Sequence, residues 1–247
     1  MKETLLELKD VALIYQTKTD EIHAVKNLSF RLNEGEFISV IGPSGCGKTT
    51  ILSLIAGLMR PTHGTISVNK ENARFGYMLQ KDQLFPWRTI EKNIFLPLEI
   101  MKKLDKAHIS YAEDLLKKYG LYEFRKNYPA ELSGGMRQRA ALIRTLSFNP
   151  DILLLDEPFS ALDYQTRLSV CDDVYRIIKD EGKSTILVTH DISEAISMSD
   201  KIIVLSQRPC CVKNVHDIPH GDETPLKRRE RQDFSKWFEI LWKELNE

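Results

Sequence analysis

The run Gly42-Pro43-Ser44-Gly45-Cys46-Gly47-Lys48-Thr49-Thr50 fits the pattern G-x-x-x-x-G-K-[ST], a pattern that can hold phosphate. Glycines leave the backbone N–H groups free to curl around an anion without Cβ interference. The run follows an apolar stretch at 37–41 and opens a helical pattern. A helix N-terminus there adds partial positive charge. Lys48 is placed to reach the β- and γ-phosphates of a nucleoside triphosphate, the Thr49 hydroxyl to ligate Mg²⁺, and Thr50 to hydrogen-bond the α-phosphate. Cys46 occupies an unspecified position and reads as a small filler open to alkylation, not as a nucleophile.

Two further apolar runs end in polar groups. The first, 152–155, ends in Asp156 and Glu157. Asp156 would meet the metal, usually through water, and Glu157 could polarise the water that attacks the γ-phosphate. The second, 185–189, ends in His190. That imidazole could contact the γ-phosphate, or sit at the surface beside a helix capped by Asp191 or Ser193. The other histidines, at 23, 63, 108, 216 and 220, have no such context and read as structural or surface.

Ser133-Gly134-Gly135 precedes another helical pattern and reads as a second anion-binding helix N-terminus. One nucleoside triphosphate does not easily need two such sites from one chain. A head-to-tail pair of chains would set each Ser-Gly-Gly over its partner's γ-phosphate, which predicts an ATP-dependent twofold dimer.

These groups need a scaffold to position them. Strand patterns cover 5–15, 24–32, 37–41, 65–68, 74–79, 152–155, 185–189 and 201–205. Helical patterns cover 48–58, 90–101, 105–119, 134–147, 164–180 and 191–198. The alternation describes one α/β core of parallel strands with a helical segment, 84–150, inserted in its middle. Residues 207–223 look like a strand and a loop. Thr224-Pro225 then starts a helix with Phe234, Trp237, Phe238, Leu241 and Leu245 on one face. That helix either docks on its own domain or offers a partner surface.

Composition narrows the function. Lys+Arg and Asp+Glu are both 35, and a zero balance argues against a general polyanion binder. No apolar run is long enough to span a membrane, and residues 1–10 carry charges without the apolar stretch of a leader. The four cysteines, 46, 171, 210 and 211, lack zinc or redox-motif spacing and read as reduced thiols of a cytosolic protein.

The segment Leu132 to Gln138, with Ser133-Gly134-Gly135 inside it, resembles the signature motif of ATP-binding cassette (ABC) ATPases. The resemblance covers essentially the whole chain, 1–247, as a single ABC ATPase domain. Gly42 to Thr49 resembles the Walker A loop, and Asp156 and Glu157 resemble Walker B and the catalytic glutamate. Ser160 to Asp163 resembles the D-loop and places Asp163 beside nucleotide, and His190 resembles the switch histidine. Tyr15 resembles the aromatic that stacks on adenine. Gln80 resembles the Q-loop glutamine, a catalytic group that joins Thr49 and Asp156 around the metal.

The fold this implies is α/β: a P-loop NTPase core with a mostly parallel sheet, an antiparallel β subdomain, the helical subdomain 84–150, and a C-terminal extension, 207–247, ending in an amphipathic helix. The activity it implies is ATP hydrolysis with ATP and Mg²⁺, in a homodimer around two ATP. The site implied for transmembrane permease subunits includes Leu84, Phe85, Pro86 and Trp87, with local core packing of Phe85 and Trp87 as the other reading. Phe85-Pro86-Trp87, Tyr128-Pro129 and Thr189-His190-Asp191 further resemble the nitrate/sulfonate/taurine type of bacterial importer subunit. Such a subunit lies peripherally on the cytoplasmic face of the inner membrane, binds no nucleic acid, and works through the permease with an extracytoplasmic substrate-binding protein. A soluble ABC ATPase acting on nucleic acid or ribosomes is the alternative, without the coiled-coil insertion, zinc module or basic arm usual there. A GTPase would need N-K-x-D, and Asn69-Lys70-Glu71-Asn72 lacks the Asp.

Overall fold

The computed structural model describes residues 3–17, 19–219, 221 and 223–247. His220, to which the sequence assigns no role, lies outside the described residues, as do Met1 and Lys2 of the stretch read as lacking a leader. Among the described residues no helix is long and apolar enough to cross a membrane.

Two sheets form the frame. Strands β1 (Thr4–Gln16), β2 (Glu21–Asn33) and β4 (His63–Val68) make a three-stranded antiparallel sheet in the order β2-β1-β4. Strands β3 (Phe37–Ile41), β5 (Phe75–Met78), β6 (Ile152–Asp156), β7 (Ser184–Val188), β8 (Lys201–Leu205) and β9 (Val212–Asp217) make a six-stranded sheet in the order β5-β6-β7-β3-β8-β9. Its first five strands run parallel and β9 is antiparallel to β8. Every residue of β3, β6 and β7 is buried, as continuous apolar runs must be when both faces of a sheet are covered. Side chains alternate between the faces. Leu153 and Leu155 pack with the helices that follow β5, whereas Ile152 and Leu154 pack toward the antiparallel sheet and α1 (Lys48–Ile55).

Between β5 and β6 lie α2 (Ile90–Ile100), α3 (Lys106–Lys118), two single 3₁₀ turns and α4 (Gly134–Leu146). α4 packs on α5 (Tyr164–Asp180). The mostly parallel sheet, the separate antiparallel sheet and the helices bear out the fold class read from the sequence.

Three boundaries differ from the sequence pattern. The expected helix over 48–58 stops at Ile55, because Gly57 turns left-handed at φ 71°. Thr224-Pro225 opens only a four-residue α7 (Pro225–Arg228) and makes no side-chain cap. The apolar-faced α8 (Phe234–Asn246) starts afresh after a bend held by Arg231, whose guanidinium bonds Asp233 at 2.9 and 3.1 Å. The tail then docks on its own domain: Leu241 is buried, and Phe234, Trp237, Phe238 and Leu245 pack over β8 and α6 (Ile192–Met198).

Candidate nucleotide-binding and hydrolysis site

Parallel strands deliver their C-terminal ends to one edge, where ligands of open α/β sheets collect. β3 ends at the glycine loop, β6 ends at Asp156, and β7, lying between them, leads into Thr189 and His190. Gly47 caps α1 at φ 124°, a conformation costly for a residue with a Cβ. Lys48 is only 7% exposed, and its ammonium donates to Gly42 O at 2.8 Å and Pro43 O at 3.1 Å. An ammonium has three N–H donors, so one is left for a ligand oxygen. Next in the helix, the Thr49 hydroxyl donates to Asp156 Oδ1 at 3.3 Å. Tyr77 donates to the other oxygen, Oδ2, at 3.4 Å. Burial raises the Asp156 carboxyl above the ordinary range, and burial with the facing Asp156 charge pushes Tyr77 up to about 12. The sequence carried no signal for Tyr77 beyond its place in a strand.

Glu157 is the meeting point of three segments. Its carboxylate oxygen Oε2 accepts from Gln80 Nε2 at 3.3 Å and lies 3.1 Å from His190 Nδ1. Its backbone is left-handed at φ 45°. That turn is held by a bond from Glu157 N–H to Val188 O at 2.8 Å and by the Ser160 N–H and hydroxyl on Glu157 O at 3.2 and 3.0 Å. Of the two sequence readings of the 190–193 turn the structure shows the helix cap: Asp191 caps α6 through the Ser193 and Glu194 N–H groups, while His190, 54% exposed, reaches Glu157. Among the described residues Gln80 makes no hydrogen bond to Thr49 or Asp156, so its polar contact here is with Glu157 and not with the expected metal ligands.

Behind His190 lies a carboxylate to which the sequence assigns no role in the site. Glu194 is 3% exposed and accepts from the Thr189 hydroxyl at 2.6 Å, while that hydroxyl accepts from Asp191 N–H at 3.0 Å. Burial pushes Glu194 up to about 7. Arg167 joins this turn to the 160–163 turn, donating to Asp191 Oδ2 at 3.3 Å and to Leu162 O at 3.0 Å.

The remaining assignments separate from this cluster. The Tyr15 hydroxyl stands 3.5 Å from the Thr50 hydroxyl, which puts the ring beside the first turn of α1. Ser133 caps α4, accepting from Met136 N–H at 3.3 Å, and is exposed. Gly135 is not an open cradle as its sequence context suggests. It is buried, and a Cβ there would stand 2.8 Å from Val170 Cγ2, so the missing side chain lets α4 approach α5. Gly134 meets Leu162 in the same way at 3.1 Å. Asp163 caps α5 from Thr166 N–H at 3.1 Å, and its hydrogen bonds with Thr166 lower its pKa. Among the described residues no hydrogen bond or ion pair joins Ser133, Gly134, Gly135 or Asp163 to the 42–50 loop.

α4 holds the segment that follows Gln80. Arg137 donates from Nε to Asp82 at 3.2 Å and from Nη1 to Leu132 O at 2.6 Å, and Arg144 clamps the Asp82 and Gln83 carbonyls at 2.7 and 2.6 Å. Asn93, buried in α2, accepts from Phe85 N–H at 2.7 Å and shares its two amide hydrogens among the Phe85, Arg88 and Thr89 carbonyls. These bonds present Phe85 and Trp87 as a pair with ring centroids 5.0 Å apart, Trp87 72% exposed. Leu84 corrects the expected surface: it is buried in the core against α2 and α4. Cys46 is buried as well, which corrects its reading as an open thiol.

Known proteins match this arrangement. The profile of the family described as ABC transporter matches residues 25–160. An uncharacterized ABC transporter ATP-binding protein, YtlC of Bacillus subtilis (strain 168), is 46% identical over 98% of this chain and 96% of its own length. The nitrate import ATP-binding protein NrtD of Synechocystis sp. is 37% identical over 90% of this chain and 86% of its own length. The bacterial ABC transporter cassette MJ0796, solved as a dimer, superposes with a TM-score of 0.73 at 31% identity, covering 88% of this chain and 100% of that one. Its post-hydrolysis state bound to ADP and Pi superposes at 0.72.

Proposed function

The chain belongs to the family of ABC transporter ATP-binding proteins, which are P-loop ATPases, and from that premise we propose that it is the energy-coupling subunit of a bacterial importer. The observation that carries the transport reading is the Phe85–Trp87 pair. Large aromatics are usually buried, yet these stand outward on a turn whose Phe85, Arg88 and Thr89 backbone Asn93 fixes, a few residues beyond the glutamine that touches Glu157. Segment 84–150 serves as the helical subdomain that meets the permease, and 207–247 as an extension docked on the core.

In this reading the 42–50 loop and Lys48 bind the triphosphate, with Tyr15 beside the base. The Thr49 hydroxyl and Asp156 carboxylate form a hard-oxygen pair of the kind Mg²⁺ takes. When bound there, Mg²⁺ neutralises charge on the β- and γ-phosphates. Glu157 orients the attacking water and accepts its proton, while Gln80 and His190 fix the carboxylate from two sides. Ser133, Gly134 and Gly135 lie apart from that loop in their own chain. They complete the site of a second copy, with Asp163 at the same junction. The homodimer closes on two ATP and opens after hydrolysis.

The similarity to a nitrate importer supports a small solute of the nitrate, sulfonate or taurine class, delivered by an extracytoplasmic binding protein. The chain then lies peripherally at the cytoplasmic face of the inner membrane. A mild-detergent pull-down from native membranes, with mass spectrometry, tests this. Recovery of a multi-span permease and a binding protein is expected, lost in Trp87→Asp. Recovery of ribosomal or other soluble partners alone would overturn the transport reading.

A further inference from the structure

Two of the four free cysteines meet behind the phosphate loop. Cys46 is 2% exposed and Cys210 0%, both in one apolar cluster, and each thiol is the largest single influence on the other's ionisation. A Cβ on Gly42 would stand 3.1 Å from the Cys46 sulfur, and one on Gly47 3.8 Å from Cys210 Cβ. The thiol pair therefore fills the hollow between the first and last glycines of the loop. The two ends differ in freedom. Cys210 is pinned to β2, its N–H donating to Ala24 O at 2.9 Å and its carbonyl accepting from Lys26 N–H at 2.8 Å. Arg208 reaches from the same segment to Gly45 O at 3.1 Å. Cys46 sits in the loop itself, its N–H donating to Pro43 O at 3.3 Å. Any bond between the sulfurs is made by moving the loop.

We propose that Cys46 and Cys210 form a reversible intrachain disulfide that disables the phosphate loop when a peroxide reaches it. The inference rests on the reading of Gly42 to Thr50 as the triphosphate site. The neighbouring Cys210 thiol and the Lys48 charge favour the Cys46 thiolate, whereas the facing Cys46 and burial keep Cys210 protonated. The Cys46 thiolate attacks a peroxide oxygen, the O–O bond breaks, hydroxide leaves, and Cys46 becomes a sulfenic acid. Cys210 sulfur then attacks that sulfur. The Cys210 proton and the sulfenic hydroxyl leave as water, and the S–S bond forms. Two thiols are oxidised and one peroxide is reduced by two electrons. A dithiol reductant reverses the bond by exchange. Disulfide sulfurs lie about 2.05 Å apart, closer than two thiols in van der Waals contact. A loop shift of about 1 Å is enough to lower a positioned reaction about 10²-fold.

The test treats the purified full-length chain with hydrogen peroxide and follows ATP binding, ATP turnover and non-reducing peptide maps. Expected are a roughly 10²-fold loss restored by dithiothreitol, a Cys46–Cys210 linked peptide, and slower loss when ATP is bound first. Cys210→Ser keeps its basal turnover and, lacking the second thiol, stops at the Cys46 sulfenic acid, which a dimedone probe labels and no linked peptide accompanies. A Cys210–Cys211 link, no dimedone label on Cys46 in Cys210→Ser, or no linked peptide in the wild-type chain would overturn the proposal, the last without any variant. Lys48→Ala separates the two readings. If it binds ATP normally, the loop assignment fails; if it does not and peroxide leaves the wild type untouched, the disulfide alone fails.

Discussion

At the start of α1, Lys48 is buried and tied to two carbonyls of its own loop, and Thr49 already faces Asp156. At the start of α4, Ser133 is exposed, and among the described residues its hydroxyl does no more than cap its own helix. Both are glycine-flanked helix N-termini, and both carry the same partial charge. The first is finished by neighbours within the chain, from β5, β6 and β7. Among the described residues no side chain hydrogen-bonds the open side of the second, and one of its glycines is committed to packing on Val170. One motif type is thus enclosed by neighbouring strands in one place and left open to solvent in another. The surroundings decide which.

The sharpest way to break the comparison is at Glu157. Glu157→Gln is expected to lower turnover about 10²- to 10³-fold while ATP still binds, so dimers accumulate with ATP on a sizing column. Wild-type turnover would remove Glu157 from the chemistry. Ser133→Arg is expected to lose turnover about 10²-fold through the opposite defect. Its ATP affinity as a monomer, measured by calorimetry, stays within about twofold of the wild type, but no dimer forms. If monomer affinity falls instead, the α4 terminus belongs to its own chain's site and the contrast fails.

Smaller effects sharpen the picture of each side. On the α1 side, Glu194 behind His190 links stability to pH. An unfolded Glu loses its proton near the ordinary value of 4.5, and the folded one near about 7. Between those values the native chain holds a proton that the unfolded chain has lost. Stability therefore falls as pH rises from about 4.5 to about 7, by up to ~3 kcal/mol, and then levels off. Denaturant midpoints of Glu194→Gln should be flatter across that window, because Gln still accepts from Thr189. A slope matching the wild type would place the titration elsewhere. On the α4 side, Gly135→Ala should cost about 1–2 kcal/mol by overpacking on Val170, and Val170→Ala in the same chain should recover part of it. Equal loss in the double variant would mean that Gly135 is required for its backbone and not for the helix contact.

Much of this was legible in the residues. Strand-loop-helix order around Gly42 to Thr50, the apolar strands ending at Asp156 and His190, and the parallel core all follow from local patterns. A buried strand needs an apolar run, and a phosphate loop needs glycines beside a helix start. Where the sequence misled, the deciding contact came from outside the local pattern. Leu84 and Phe85 are adjacent apolar residues, yet one enters the core and the other faces out, because Asn93 fixes the turn between them. Cys46 reads as an open filler until Cys210, far along the chain, is placed against it.

By itself the sequence determined the chemistry available: which residues could bind phosphate, ligate a metal or move a proton, and on which element each would sit. Periodicity and glycine spacing are local properties, readable within a turn or a strand. Only the tertiary structure decided which of them meet. Gln80, Glu157 and His190 share one carboxylate because β7 lies beside β6 and the Gln80 segment is held by α4. Ser133 is left apart from the phosphate loop because α4 is drawn onto α5 by the close approach at Gly135. Those pairings depend on sheet order and packing density, which no short window of residues contains.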